Sequence, residues 1–200
     1  MTPNEHQARV EVLTRACTST GSILDHVTPE QLGFPTPCGN WPVRELVNHI
    51  VGATRFFADL AEWGSSPQGQ EWPVYAEGDF AAAFGEQARR AVAAFSAPGA
   101  MERMMVTPAG RLPGWQCIQV ATEEIFVHGW DLARATGQAM PDGGVADALL
   151  SSEWMMSLCD EVRNDGTAPY AAAIDVPGEA PAGDRLAGFL GRDPNWSSAL

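Results

Sequence analysis

The chain has 200 residues, enough to bury one sizeable hydrophobic core, and we expect a single domain over residues 1–200. Its 25 acidic and 12 basic residues give a net charge of −13. Because phosphate groups are bound by a concentrated positive field, this balance argues against nucleic acid and anionic membrane surfaces as partners.

The amino-terminal segment MTPNEHQARVEV lacks the basic and apolar regions of a signal peptide. No apolar run approaches the roughly 20 residues that a transmembrane helix needs, so we expect a cytoplasmic protein. The four cysteines are scattered without a C-x-x-C pair, which argues against a disulfide framework or a zinc ribbon. We expect buried thiols, although Cys38 differs from the others because it lies in a predicted loop.

The spacing of apolar residues predicts two long helices in the first third of the chain. The first extends from Glu5 to about Val27, and the second begins at Pro42 and ends near Trp63, before Gly64. Between them, TPEQLGFPTPCGNWP contains four prolines and two glycines, which a helix cannot accommodate. This stretch is predicted to be a loop, as is the segment after Gly64.

Two further long helices are predicted after residue 78. Asp79 can cap a third helix that continues to Phe95, and residues 101–114 follow as a short hairpin or an irregular connector. The fourth helix is predicted from Trp115 to about Thr136, with Gly137 as its C-cap. Long helices with little strand signal are typical of an all-α bundle.

The rest of the chain is less regular. A fifth helix is predicted from Val145 to about Arg163. Residues 165–200 are rich in proline, glycine and alanine, which predicts an extended tail around one additional short helix, RLAGFLG.

Glu124 and His128 lie four residues apart on the predicted fourth helix, beside its apolar stripe. Helix geometry places them about 40° apart in rotation and about 6 Å apart along the axis. One metal ion can accept a ligand from each side chain at that spacing. Asp131, one turn after His128, is placed to hold that turn in position.

His49 lies on the flank of the apolar face of the second helix and also points toward a helix interface. With Glu124 and His128 it forms a His₂Glu set, and catalytic zinc sites usually combine three protein ligands with one open position. The residues alone leave two other interpretations open. Glu124 and His128 can form a simple ion pair, and His49 can be a hydrogen-bonded residue at the edge of the core.

Three segments resemble a known family. TPCGNWPVRELVNHIVGA and EEIFVHGWDLARATGQ resemble two motifs of the actinobacterial DinB-like proteins related to mycothiol-dependent maleylpyruvate isomerase. In these motifs a turn and a Trp precede a helix with a histidine, and a Glu is followed four residues later by His and then by Asp-Leu. DRLAGFLGRDPNW is similar to the carboxy-terminal signature of a short branch of that family.

The resemblance implies a DinB-type four-helix bundle that holds a divalent metal, usually zinc, through His49, Glu124 and His128. It also implies a low-molecular-weight thiol, mycothiol, as cofactor or co-substrate. The chain departs from the isomerases in being too short for their additional carboxy-terminal domain, which weakens the expectation that maleylpyruvate is the substrate.

Our leading hypothesis is an enzyme whose zinc activates such a thiol for S-transfer to an electrophilic substrate, or for thiol-assisted isomerisation. The same three ligands also suit a hydrolase that activates water, or a helical bundle that binds a metal or a small molecule without catalysis. A monomer and a homodimer are both compatible with the sequence, which does not show whether the loop at 28–42 or that at 64–79 covers the site.

Overall fold

The fold is described from a computed structural model, for residues 2–39, 41–67, 73–108, 110–164 and 170–197. Within these residues the chain forms helices and one small antiparallel sheet. In chain order these are α1 Pro3–Leu24, α2 Val43–Trp63, α3 Phe80–Ser96, β1 Met104–Thr107, β2 Gly110–Pro113, α4 Gly114–Thr136, α5 Val145–Leu150, α6 Glu153–Asn164 and α7 Ala182–Phe189. The predicted all-α class is confirmed, and the 101–114 segment is the hairpin rather than an irregular connector.

The four long helices form the bundle. Helix α1 packs against α3 and α4, and α2 packs against the same two helices, so that α1 and α2 lie on opposite corners. The apolar faces meet in a shared core that includes Leu13, Leu46, Ile50, Phe84 and Ile125. No helix of the described segments is long and apolar enough to cross a membrane.

Local sequence signals set the helix ends. Thr2 and Glu5 form a capping box at the start of α1, and the Asp79 side chain accepts the backbone N–H of the third residue of α3. Gly64 and Gly137 follow α2 and α4 with φ of 79° and 70°, a left-handed conformation that glycine adopts without steric strain. These ends agree closely with those expected from the sequence.

Helices α1 and α4 lie parallel and close together. The Thr20 hydroxyl donates to the Ile125 carbonyl at 2.9 Å, and the Gln138 amide donates to the Ile23 carbonyl at 3.1 Å. A Cβ added to Gly129 would lie 2.3 Å from Thr20 Oγ1, well inside van der Waals contact. Gly129 is therefore required for α4 to lie this close to α1 at the residue after His128.

The predicted fifth helix is wrong in its continuity. It is broken at Ser151 and Ser152 into α5 and α6. The Ser152 hydroxyl accepts the Met155 backbone N–H at 3.3 Å and donates to Gln119 Oε1 at 2.5 Å. Serine competes for backbone hydrogen bonds in this way, so the side chain starts a new helix where the apolar spacing alone predicts a continuous one.

The tail lies against the bundle. Residues 170–177 have no regular secondary structure, a turn follows at residues 178–180, and α7 packs on α4 and α5. An ion pair between Arg134 and Asp184, at 2.6 Å, fastens α7 to α4. Residues 165–169 and 198–200 of the predicted tail lie outside the described residues.

Candidate metal centre

Three donor atoms from α2 and α4 face one point. His49 Nε2 lies 2.5 Å from Glu124 Oε1, and His128 Nε2 lies 3.4 Å from the same oxygen. The donor atoms of these three residues all lie within 4.8 Å of one another. The structure thus brings together the three residues singled out from the sequence, and the packing of α2 on α4 is what joins them.

Asp131 and Arg192 support His128 on the Nδ1 side of its ring, away from Glu124. Asp131 Oδ2 accepts from His128 Nδ1 at 3.1 Å, which leaves Nε2 directed toward Glu124. The guanidinium of Arg192 contacts both Asp131 oxygens at 3.2 to 3.4 Å. Asp131 is fully buried and Arg192 is only 8% exposed, so this is a buried ion pair. Asp131 occupies the supporting position that its spacing predicts.

The loop before α2 supplies one wall of the site. The Trp41 ring centroid lies 4.6 Å from that of His49 and 6.1 Å from that of His128. The Cys38 thiol lies beside His128 and Asp131, close enough for the three to form a second group of possible metal donors. Because Arg192 already pairs with Asp131, a second cation at that group is disfavoured.

Electrostatics in the site favour a positive charge next to Glu124. Burial acts to raise the pKa of Glu124, but the imidazoles of His128 and His49 hold it well below its usual range. Burial acts to lower the pKa of His128, whereas Glu124 and Asp131 raise it well above its ordinary value. Either a proton on His128 or a metal cation would supply a positive charge next to Glu124.

A second carboxyl group lies beside the centre. Glu123 is only 2% exposed, and its Oε2 accepts a hydrogen bond from the Tyr170 hydroxyl at 3.1 Å. Burial, aided by the charge of neighbouring Glu124, raises the pKa of Glu123 to about 7. The two adjacent glutamates thus have opposite pKa shifts, because Glu124 contacts the histidines whereas Glu123 is buried beside Tyr170.

Comparison with known proteins identifies the family. The family model described as the mycothiol maleylpyruvate isomerase N-terminal domain matches residues 13–133. The chain belongs to this family. The matched segment contains His49, Glu124, His128 and Asp131, whereas Tyr170 and Arg192 lie beyond it.

Relatives of this maleylpyruvate isomerase family member occur in Mycobacterium tuberculosis. The uncharacterized proteins MT0763 of strain CDC 1551 / Oshkosh and Rv0738 of strain ATCC 25618 / H37Rv are each 36% identical to it over 181 residues. These matches cover 89% of this chain and 94% of each relative.

Solved structures share the fold. A crystal structure of the mycothiol-dependent maleylpyruvate isomerase matches with a TM-score of 0.58 and 16% identity, over 82% of this chain and 73% of that one. A mutant of the mycothiol-dependent maleylpyruvate isomerase matches with a TM-score of 0.57 and 16% identity, over 79% and 69% of the two chains. The DinB-type bundle and the resemblance noted in the sequence are confirmed, as is the expectation that this family member is an enzyme.

Three contributors to the site were missed from the sequence of this family member. Neither Trp41 nor Cys38, both within the TPCGNWP turn of the family motif, is assigned a role in the site from the sequence, and Arg192 is not singled out. Cys38 is only half-buried, whereas the other three thiols are buried as expected. The Thr-Pro-Cys turn was the one available signal for Cys38, since it precedes the histidine helix in the family motif.

Proposed function

We propose that the protein is a zinc-dependent enzyme that activates a low-molecular-weight thiol, such as mycothiol, for attack on an electrophilic substrate. His49, Glu124 and His128 are the proposed ligands. The observation that carries the proposal is the convergence of their three donor atoms, all within 4.8 Å of one another, on two helices of the bundle.

The chemistry of the donors fits zinc. Two imidazole nitrogens and one carboxylate oxygen form the type of three-ligand set found in catalytic zinc sites, which keep a fourth position open. The Nδ1 atom of His128 is engaged by Asp131, so His128 Nε2 is free to act as a ligand. The ionised state of Glu124 that its neighbours favour is also the state that binds metal.

When bound, zinc stabilises a coordinated thiolate at neutral pH and makes the sulfur available as a nucleophile. The protein itself supplies orientation and shielding. Asp131 fixes the ring of His128, and Arg192 fixes Asp131 through the buried ion pair. Trp41 packs against His49 and lies near His128, which adds an apolar wall to the proposed site.

The choice of thiol and reaction is supported by the family. Its relatives of known structure are named for mycothiol and maleylpyruvate, a thiol and an electrophilic substrate. Addition of the thiol to a carbon–carbon double bond, followed by elimination after bond rotation, gives cis–trans isomerisation with the thiol regenerated. Retention of the new carbon–sulfur bond gives S-transfer instead. Both outcomes use the same activated thiol.

Metal content measured by elemental mass spectrometry tests the ligand set. The purified wild type is expected to hold about one zinc per chain, and His49→Ala and Glu124→Ala are expected to lose it. His26→Ala is the matched control, because His26 is exposed at the end of α1 and should not affect metal content. Full zinc retention in His49→Ala, or no zinc in the wild type after zinc addition, would refute the site.

An activity assay separates the reaction classes. The zinc-loaded protein is mixed with mycothiol and maleylpyruvate, and then with other electrophiles, while free thiol and product isomers are followed by liquid chromatography. Thiol-dependent turnover that is lost in His49→Ala supports the proposal. Formation of hydrolysis products without thiol would identify a hydrolase instead, and zinc binding without thiol-dependent turnover of any tested electrophile would contradict the proposed thiol activation.

A further inference from the structure

A separate cavity of about 260 Å³ lies between α1, α4 and the junction of α5 with α6. It opens on a different face of α4 from the metal centre, because Gln119 in the cavity and Glu124 in the centre are about 140° apart around the helix. Its lining includes three apolar residues, Val12, Ile118 and Leu149, and three polar residues, Arg9, Gln119 and Ser152.

Arg9 brings a positive charge to this cavity. Its Nε is buried and has no hydrogen-bond partner, and its guanidinium stacks 5.6 Å from the ring centroid of Trp115. Glu5, one turn earlier, interacts with Arg9 electrostatically, but its Oε2 accepts the Thr2 backbone N–H at 2.7 Å in the helix cap. Six other arginines in the described segments pair with carboxylates: Arg55, Arg90, Arg134, Arg163, Arg185 and Arg192.

The other polar side chains around the cavity already have partners. The Gln119 amide donates to the Trp115 carbonyl at 3.2 Å and its oxygen accepts from Ser152 at 2.5 Å. The Thr122 hydroxyl donates to the Ile118 carbonyl at 2.6 Å. Arg9 lines the cavity and takes part in none of the ion pairs within the described segments, so its guanidinium is the charged donor available to a ligand there.

We propose that this cavity binds a small monocarboxylate, with its carboxylate on Arg9 and its aliphatic body against Val12, Ile118 and Leu149. The planar guanidinium fork matches a carboxylate in geometry and charge. The apolar wall favours an organic acid over inorganic phosphate, which has no apolar part to bury.

Isothermal titration calorimetry on the full-length, zinc-loaded protein tests the site, with hexanoate as the probe and hexanol and inorganic phosphate as comparisons. Hexanoate is expected to bind more tightly than either. Arg9→Met should weaken hexanoate binding by about tenfold or more, because it removes a charged hydrogen-bond donor. Ala148→Phe, which fills the cavity and keeps Arg9, should have the same effect, whereas exposed Arg44→Met should not.

Circular dichroism confirms that each variant is folded before titration. Absence of hexanoate binding, or equal binding of hexanol, would overturn the proposal. Equal binding of inorganic phosphate would overturn the assignment to organic acids. Binding that is lost in His49→Ala but retained in Arg9→Met would place the carboxylate at the metal centre and also overturn the proposal. The inference does not depend on the proposed thiol chemistry.

Discussion

Removing Arg192 tests how strongly the tail supports the candidate metal centre. In Arg192→Met, the carboxylate of Asp131 remains fully buried without its cation. Removing one partner of a buried ion pair typically destabilises a protein by about 3–5 kcal/mol. The Arg192–Asp131 distances of 3.2 to 3.4 Å are long for a charge-assisted bond, and His128 still donates to Asp131. We therefore expect a loss of about 3 kcal/mol.

The control variant, Arg185→Met, separates the effect of burial from the effect of the distance between the paired atoms. Arg185 pairs with Asp147 at 2.8 Å, a shorter contact, but the Asp147 side chain is 64% exposed. Exposed pairs contribute about 0–1 kcal/mol, so Arg185→Met should change the free energy of unfolding little. Urea denaturation of both metal-free variants, with the wild type beside them, measures the difference if the m-values agree.

Equal destabilisation by Arg192→Met and Arg185→Met would refute the reasoning, since distance or total charge would then matter more than burial. A second substitution gives an internal check. Asp131→Asn in the Arg192→Met background removes the unpaired charge and should recover part of the lost stability. The zinc affinity of Arg192→Met should fall by about 10-fold or more, because groups behind a metal ligand typically affect affinity 10- to 100-fold.

Three further predictions concern other parts of the molecule. In the same urea assay, Gly129→Ala should destabilise the protein by about 1–3 kcal/mol, because the added Cβ clashes with Thr20. Gly85→Ala is the control: Gly85 has open space around it on α3, so this substitution should stabilise the protein by about 0.5–1 kcal/mol. Because burial raises the pKa of Glu123 from 4.5 to about 7, its stabilising contribution in the metal-free protein is complete below pH 4.5 and is lost as the pH rises through 7. The free energy of unfolding of Glu123→Gln, relative to that of the wild type, should therefore rise by on the order of 2 kcal/mol between pH 4.5 and pH 8. If this difference between variant and wild type stayed constant across the range, the prediction would be contradicted. Brief treatment of the native protein with iodoacetamide should label Cys38 first, as peptide mass spectrometry would show, because burial raises the pKa of the other three thiols to about 12, 11 and 12.

Local spacing explains why much of the site could be predicted. Glu124 and His128 are one turn apart on one helix, so their proximity follows from helix geometry. The position of His49 beside an apolar stripe indicated an interface, but which helix lay across it depended on the packing of α2 on α4. Their role as metal ligands stays a prediction.

The features that the sequence did not predict depend on contacts between distant segments. Arg192 lies 61 residues after Asp131, just beyond the short helix predicted at RLAGFLG, and nothing in its neighbourhood identifies its partner. The interruption of the fifth helix at Ser152 depends on Gln119, which is 33 residues away. Apolar spacing reports which face of a helix is buried, but it does not report which polar side chain will find a partner there.

The order of synthesis gives the Arg192–Asp131 pair a further consequence. The three proposed ligands and Asp131 are translated before Arg192, and long-range contacts of this kind form only once both segments have been made. An emerging chain can therefore assemble the histidine and glutamate donors while the charge of Asp131 is still uncompensated. Arg192 can pair with Asp131 only afterwards, so the buried ion pair behind His128 is the last of these contacts to form.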